Sequence, residues 1–272
     1  MPRTHDQSGT LSGNRIVDSL ARIRATRKKA LALFLTAGYP RRESTRELVQ
    51  ALAANGADLI EIGMPFSDPL ADGPVIQRSS AASIANGTTL RVILDDVRAV
   101  RRDNAVPLVL MGYMNPIMTY GAGNFFTDAA AAGVDGVILP ELPLEECGRF
   151  AGLIAAQKLA HVLLVTPTTP AERIEAIDRQ SSGFLYCVST TGVTGAGSGD
   201  VSREYIQHVK RHASHNPVLV GFGISGADDA REVAAVADGV IIGSALIRRL
   251  GEGASIESIG RWVREIKGAI DS

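Results

Sequence analysis

The chain concentrates its chemistry-bearing side chains between Ala57 and Pro74, where Glu61, Ser67, Asp68 and Asp72 follow one another closely. The first half of this stretch alternates like a buried strand, with Leu59 and Glu61 on one face and Ile60 and Ile62 on the other. Glu61 therefore shares a face with apolar neighbours. Loss of hydration there disfavours the carboxylate and lifts its pKa toward the range in which it can exchange protons near neutrality. The second half is a loop whose Pro65, Pro69 and Pro74 fix the backbone, so that its carboxylates can turn back over the strand end. Asp-Pro and Asp-Gly are also ordinary turn signals, so Asp68 and Asp72 read equally as turn formers or as partners for Glu61. A glutamate inside a strand has no such structural excuse, and burying it without a task is expensive.

Other ways of moving protons or activating a carbonyl are poorly supplied. Lys28, Lys29, Lys158, Lys210 and Lys267 all fall on expected helices or their ends, which leaves no lysine for a Schiff base. His208 and His212 have metal-ligand spacing, but they lack a third inward ligand and read as a solvated helix face. No metal is expected. Carboxylates remain.

The elements that must hold these residues are legible from periodicity. Short apolar runs at 31–35, 58–62, 107–111, 134–139, 161–165, 184–188, 217–221 and 239–242 alternate with helix-period sequence. This pattern specifies a parallel sheet closed as a single (β/α)8 TIM barrel. An extra N-terminal helix follows Asn14, and an extra helix follows strand 2, where 75–85 and 90–102 both carry helical spacing. The junctions Gly56-Ala57-Asp58, Gly133-Val134-Asp135 and Val236-Ala237-Asp238 each lead into a strand and look like one reused unit. Residues 1–13 are polar, lack a secretory signal and are expected to form a disordered tail; 14–272 form the barrel domain.

Composition agrees with this architecture. Of 272 residues, 45% are apolar and 21% charged, enough for one large core, and the net charge of −1 offers no basic field for nucleic acid or an anionic membrane. Cys147 and Cys187 make neither a metal motif nor a disulfide framework, and a cytoplasmic setting is expected.

Barrel enzymes place their chemistry at the C-terminal strand ends. Those ends here are rich in glycine, hydroxyls and acids. The loops Gly221-Phe222-Gly223-Ile224-Ser225 and Gly243-Ser244-Ala245, after strands 7 and 8, are where this architecture commonly holds phosphate on backbone N–H groups and a helix N-terminus. The glycine-rich segment from Thr190 to Gly199 is positioned to act as a lid.

With these pieces assembled, the chain resembles the family of tryptophan synthase α subunits from about Asn14 to the C-terminus. The resemblance is carried by Phe34-Leu35-Thr36-Ala37-Gly38-Tyr39-Pro40, Glu61 through Pro74, Gly192-Val193-Thr194-Gly195, Gly221 through Ser225, and Asp238-Gly239 through Ala245. It implies retro-aldol cleavage of indole-3-glycerol phosphate to indole and glyceraldehyde 3-phosphate, the last stage of tryptophan biosynthesis. By the resemblance, Glu61 is the acid/base and Asp72 meets the indole N–H. Phe34, Tyr186, Thr194 and Phe222 line the pocket, and Gly195, Gly223, Gly243 and Ser244 hold the phosphate. It also implies an α2β2 complex with a β subunit that carries pyridoxal phosphate, this chain having no cofactor of its own. Asp68 and the segment containing Asn115 and Pro116 would contact that partner. Glu141 departs from the aspartate usual in the family, keeping the charge on a longer arm.

Overall fold

The computed structural model describes residues 11–188, 203–221 and 223–272. Eight parallel strands close in chain order: β1 (Ala30–Thr36), β2 (Leu59–Gly63), β3 (Leu108–Met111), β4 (Gly136–Ile138), β5 (Ala160–Val165), β6 (Leu185–Val188), β7 (Val218–Gly221) and β8 (Gly239–Ile242). Alternation sorts each strand into two sets. Ala30, Ala32, Leu59, Val109, Ile138, Val162, Leu219 and Ile241 fill the barrel interior. Leu31, Leu33, Ile60, Ile62, Leu108, Leu110, Val240 and Ile242 pack outward under the helices. Strands buried on both faces read as continuous apolar runs, which is why the sequence marks them so clearly.

The outer layer comprises α1 (Arg15–Ala25), α2 (Ser44–Ala54), α3 (Pro74–Ala85), α4 (Leu90–Arg101), α5 (Met114–Tyr120), α6 (Ala122–Ala132), α7 (Leu144–Ala156), α8 (Ala171–Gln180), α9 (Arg203–His212), α10 (Ala227–Ala234), α11 (Ser244–Gly251) and α12 (Ile256–Asp271). The expected N-terminal helix and the extra helix after strand 2 are present, α1 with Asn14 as its side-chain cap. Two helices were not expected. α5 occupies the segment around Asn115 and Pro116 that reads as a strand-end loop. A proline in the first turn removes an N–H that has no intrahelical acceptor, so it does not oppose the helix. α11 begins directly at Ser244 and is too short for its spacing of Ala245, Leu246, Ile247 and Leu250 to stand out beside the strand before it. Of the expected tail, residues 1–10 lie outside the described residues. Leu11 packs against the cluster that fills the barrel interior.

The repeated Asp junctions are clamps at the barrel bottom. Asp58 accepts from the Leu31 N–H and Lys267 Nζ, both at 2.8 Å. Asp238 accepts from the Val218 N–H at 2.9 Å and Lys210 Nζ at 2.7 Å. Asp135 accepts from the Leu108 N–H at 2.8 Å, Arg101 at 2.5 Å and Arg15 at 2.7 Å. Each aspartate ties the start of its own strand to the start of the strand before it and to a helical cation. Asp135→Ala leaves Arg101, only 10% exposed, without its counter-charge. The expected loss is about 3 kcal/mol of unfolding free energy by urea titration, and a loss below about 1 kcal/mol would contradict the clamp.

At the opposite end, α3 is bolted to the β1 exit. Thr36 and Ser79 hydroxyls meet at 2.7 Å, the Ser83 hydroxyl donates to the Ala37 carbonyl, and Asn86 Nδ2 donates to the Gly38 carbonyl at 2.9 Å. These bonds fix where α3 begins, directly after Asp72-Gly73, and so place the Asp72 loop over the barrel mouth.

Candidate active site

Glu61 projects from β2 into the upper barrel. Its register partner on β1 is Phe34, and Gly63 is the next residue on the same face. A Cβ at Gly63 would collide with the Phe34 ring, and one at Gly221 would collide with the Tyr186 hydroxyl. Glycine at these two positions is what lets both rings lie across the mouth. Glu61 is fully buried, and neither carboxylate oxygen has a hydrogen-bond partner among the described residues. Burial alone pushes its pKa up to about 8.

Asp72 sits above, in the loop between β2 and α3. Its N–H donates to the Pro69 carbonyl at 3.1 Å and its carbonyl accepts from Gln77 at 2.9 Å. Burial raises its pKa to about 6. A hydrogen bond from Tyr113 opposes that rise and the charge of Glu141 adds to it. Tyr186 is held neutral first by burial, then by the charges of Glu61 and Asp72, which places all three groups around one space. Phe34, Gly63, Asp72, Met111, Gly112 and Tyr113 line a narrow cleft leading into it. The structure thus brings Phe34, Glu61, Asp72 and Tyr186 together.

Across the mouth, Gly223 follows β7 with φ +77° and open space beside its Cα. Gly243 precedes α11, which has no side-chain cap, and Ser244 is its first residue. Gly243 also abuts Phe34, since a Cβ there would lie 3.3 Å from that of Phe34. The first-turn N–H groups of α11 therefore start beside the cleft. Thr194, Gly195 and Phe222 lie outside the described residues, as does the segment expected to be a lid.

Asp68 is exposed and accepts from the Ser67 hydroxyl at 2.5 Å. Asn115 is exposed on α5 and Pro116 is half-buried. Leu70 and Met118 from the same two segments are 93% and 55% exposed. Tyr113 is 5% exposed and belongs to the cleft. Its position at the end of β3, where barrel chemistry sits, is the sequence signal for it. Among the described residues there is no group of three or more His, Cys, Asp or Glu side chains that could hold a metal, and no helix is long and apolar enough to cross a membrane.

The family model described as tryptophan synthase alpha chain matches residues 20–267. The tryptophan synthase alpha chain of Geotalea daltonii is 49% identical over 237 residues, covering 86% of this chain and 89% of the relative. That of Geobacter sulfurreducens is 48% identical over 259 residues, covering 94% and 97%. The crystal structure of tryptophan synthase subunit alpha from Legionella pneumophila superposes with a TM-score of 0.87 at 38% identity, covering 95% of this chain and 98% of that one. A chain of Mycobacterium tuberculosis tryptophan synthase gives 0.88 at 35% identity, covering 95% and 99%.

Proposed function

The chain belongs to the tryptophan synthase alpha chain family, a lyase of tryptophan biosynthesis that cleaves indole-3-glycerol phosphate, and from that premise we propose which of its residues perform the reaction. Glu61 is the proton-transfer group and Asp72 the partner of the indole N–H. The observation that carries this reading is that their environments push two neighbouring carboxyl groups apart, Glu61 to about 8 and Asp72 to about 6. Near neutrality Glu61 is protonated and Asp72 ionised.

Cleavage needs both forms. Protonation of the indole ring at C3, the carbon bearing the glycerol chain, places positive charge on the ring nitrogen. The Asp72 carboxylate stabilises that charge as it develops, in a site where few waters compete. The bond to the glycerol chain then breaks as its electrons return to the ring. The hydroxyl next to the broken bond becomes the aldehyde and yields its proton to the Glu61 carboxylate. Glu61 ends as it began, so one buried group serves as acid and then base. Phe34 and Tyr186 hold the ring plane. Gly195, Gly223, Gly243 and Ser244 take the phosphate on backbone N–H groups, aided by the α11 dipole.

The partner is a tryptophan synthase β chain, in an α2β2 assembly that joins the indole to serine. Pyridoxal phosphate belongs to that β chain, and this chain uses no cofactor of its own. Asp68, Asn115 and Pro116 form part of the contact, beside the exposed Leu70 and Met118. The working compartment is the cytoplasm.

The direct test is indole release from indole-3-glycerol phosphate by the purified chain, alone and with a β subunit. Weak release that rises with β supports the coupled subunit. Full release indifferent to β indicates a freestanding lyase, and no release in either condition overturns the reading. Gly223→Asp is expected to raise KM by about 10-fold or more through repulsion of the phosphate. Gly223→Asn separates charge from bulk, and an equal KM in both variants would remove this residue from the phosphate site.

A further inference from the structure

Asp72 lies in a proline-rich loop, yet its task requires a carboxylate held at one place and one acidity. Two residues from neighbouring strand exits supply this. The Tyr113 hydroxyl accepts from the Ala71 N–H at 3.0 Å, which sets it beside Asp72, and both residues line the same cleft. Its ring packs against Phe66 of the same loop, with centroids 5.4 Å apart. Tyr113 is in turn the residue preceding α5, and the next N–H, that of Met114, donates to Glu141 Oε1 at 2.5 Å. The exits of β2, β3 and β4 are thus joined through Asp72, Tyr113 and Glu141.

We propose that Tyr113 and Glu141 are positioning residues for the α reaction, Tyr113 orienting Asp72 toward the indole nitrogen and Glu141 holding Tyr113 in place while setting the negative field that Asp72 feels. This rests on the reading of Asp72 as the carboxylate facing the indole N–H. The titratable groups that act on Asp72 are Tyr113, before α5, and Glu141, from the β4 exit, while Tyr186 from β6 feels the charges of both Glu61 and Asp72. Of these, Tyr113 and Glu141 act on Asp72 in opposite senses. The tyrosine bond favours the ionised form, and the glutamate charge disfavours it.

The opposition makes the proposal testable. The pH dependence of kcat/KM for indole-3-glycerol phosphate cleavage is measured in the parent complex with β and in Tyr113→Phe, Glu141→Gln and Asp72→Asn. Titration of the substrate phosphate is common to all of them, so differences in the acid limb report the enzyme. Tyr113→Phe is expected to move that limb to higher pH and Glu141→Gln to lower pH, each by roughly 0.3–0.5 pH unit, the order expected of one hydrogen bond or one partly screened charge. Glutamine keeps an acceptor for Met114, so a merely structural Glu141 leaves the limb in place. Added salt is expected to abolish the Glu141→Gln displacement and leave that of Tyr113→Phe, because screening weakens an exposed charge and not a direct bond. Tyr113→Phe should lower kcat by about 10-fold with little change in KM, since orientation matters most as charge develops.

Two limbs that coincide with the parent, or that move in the same direction, overturn the proposal. If Asp72→Asn loses activity while the other profiles stay put, the relay fails and the role of Asp72 stands. If Asp72→Asn cleaves like the parent, the underlying reading of Asp72 fails.

Discussion

Glu61→Gln is expected to lower kcat/KM for indole-3-glycerol phosphate cleavage by about 1,000-fold or more, the upper range for removing a general acid/base. Glutamine keeps the volume of the side chain but can neither give up nor accept a proton in the pH range of the reaction. Phosphate affinity should stay within a few-fold, since Gly223, Gly243 and Ser244 lie across the mouth, after β7 and β8. The measurement is steady-state indole release at saturating and limiting substrate. A variant within about 10-fold of the parent would remove Glu61 from the chemistry, because the remaining groups cannot substitute for a buried proton carrier. The parent kcat/KM should be bell-shaped, rising as Asp72 ionises near 6 and falling as Glu61 loses its proton near 8. The basic limb should vanish with Glu61.

The same substitution is expected to stabilise the fold where it destroys activity. Glu61 ionises near its ordinary 4.5 in the unfolded chain and near 8 in the folded one. Below 4.5 both states hold the proton and the group costs little. Between these values unfolding releases a proton, so stability falls as pH rises. Above 8 the folded barrel carries a buried charge, and the full penalty is present. The difference is on the order of 5 kcal/mol, an upper bound because opening of the mouth admits water. Urea titrations across this window should show the parent losing several kcal/mol relative to Glu61→Gln as pH increases, with the two closest at the acid end. Parallel pH profiles for the two proteins would contradict a desolvated Glu61. Such a group persists because the activity depends on its being desolvated, a trade between stability and function.

Much of the barrel is legible in the chain because its strands are buried on both faces and its helices on one. Apolar runs such as Leu31–Leu35 and the 3.6-residue spacing of α12 leave no competing pattern. Glu61 stands out for the same reason, as a charge inside such a run. The glycines after β7 and β8 are visible as departures from helix and strand preference. α5 and α11 escape because seven or eight residues make only about two turns, and packing against neighbours decides their fate more than propensity does. The Asp junctions are visible as a repeat, but their partners Lys267, Lys210, Arg101 and Arg15 lie far away in sequence.

The sequence by itself determined the alternation of strands and helices, the sharing of one apolar face by Leu59 and Glu61, and the exclusion of lysine from the strand ends. Each of these is a local property, set by the side-chain period of a strand or by residue type. Only the tertiary structure decided that Phe34 faces Glu61, that Gly63 and Gly221 clear room for two rings, and that Tyr113 takes the Ala71 N–H beside Asp72 while Glu141 takes that of Met114. Those facts depend on the stagger of a closed barrel, which chooses which residues of different strands share a layer. The acidities of Glu61 and Asp72 follow from it, because desolvation and charge act through space and not along the chain.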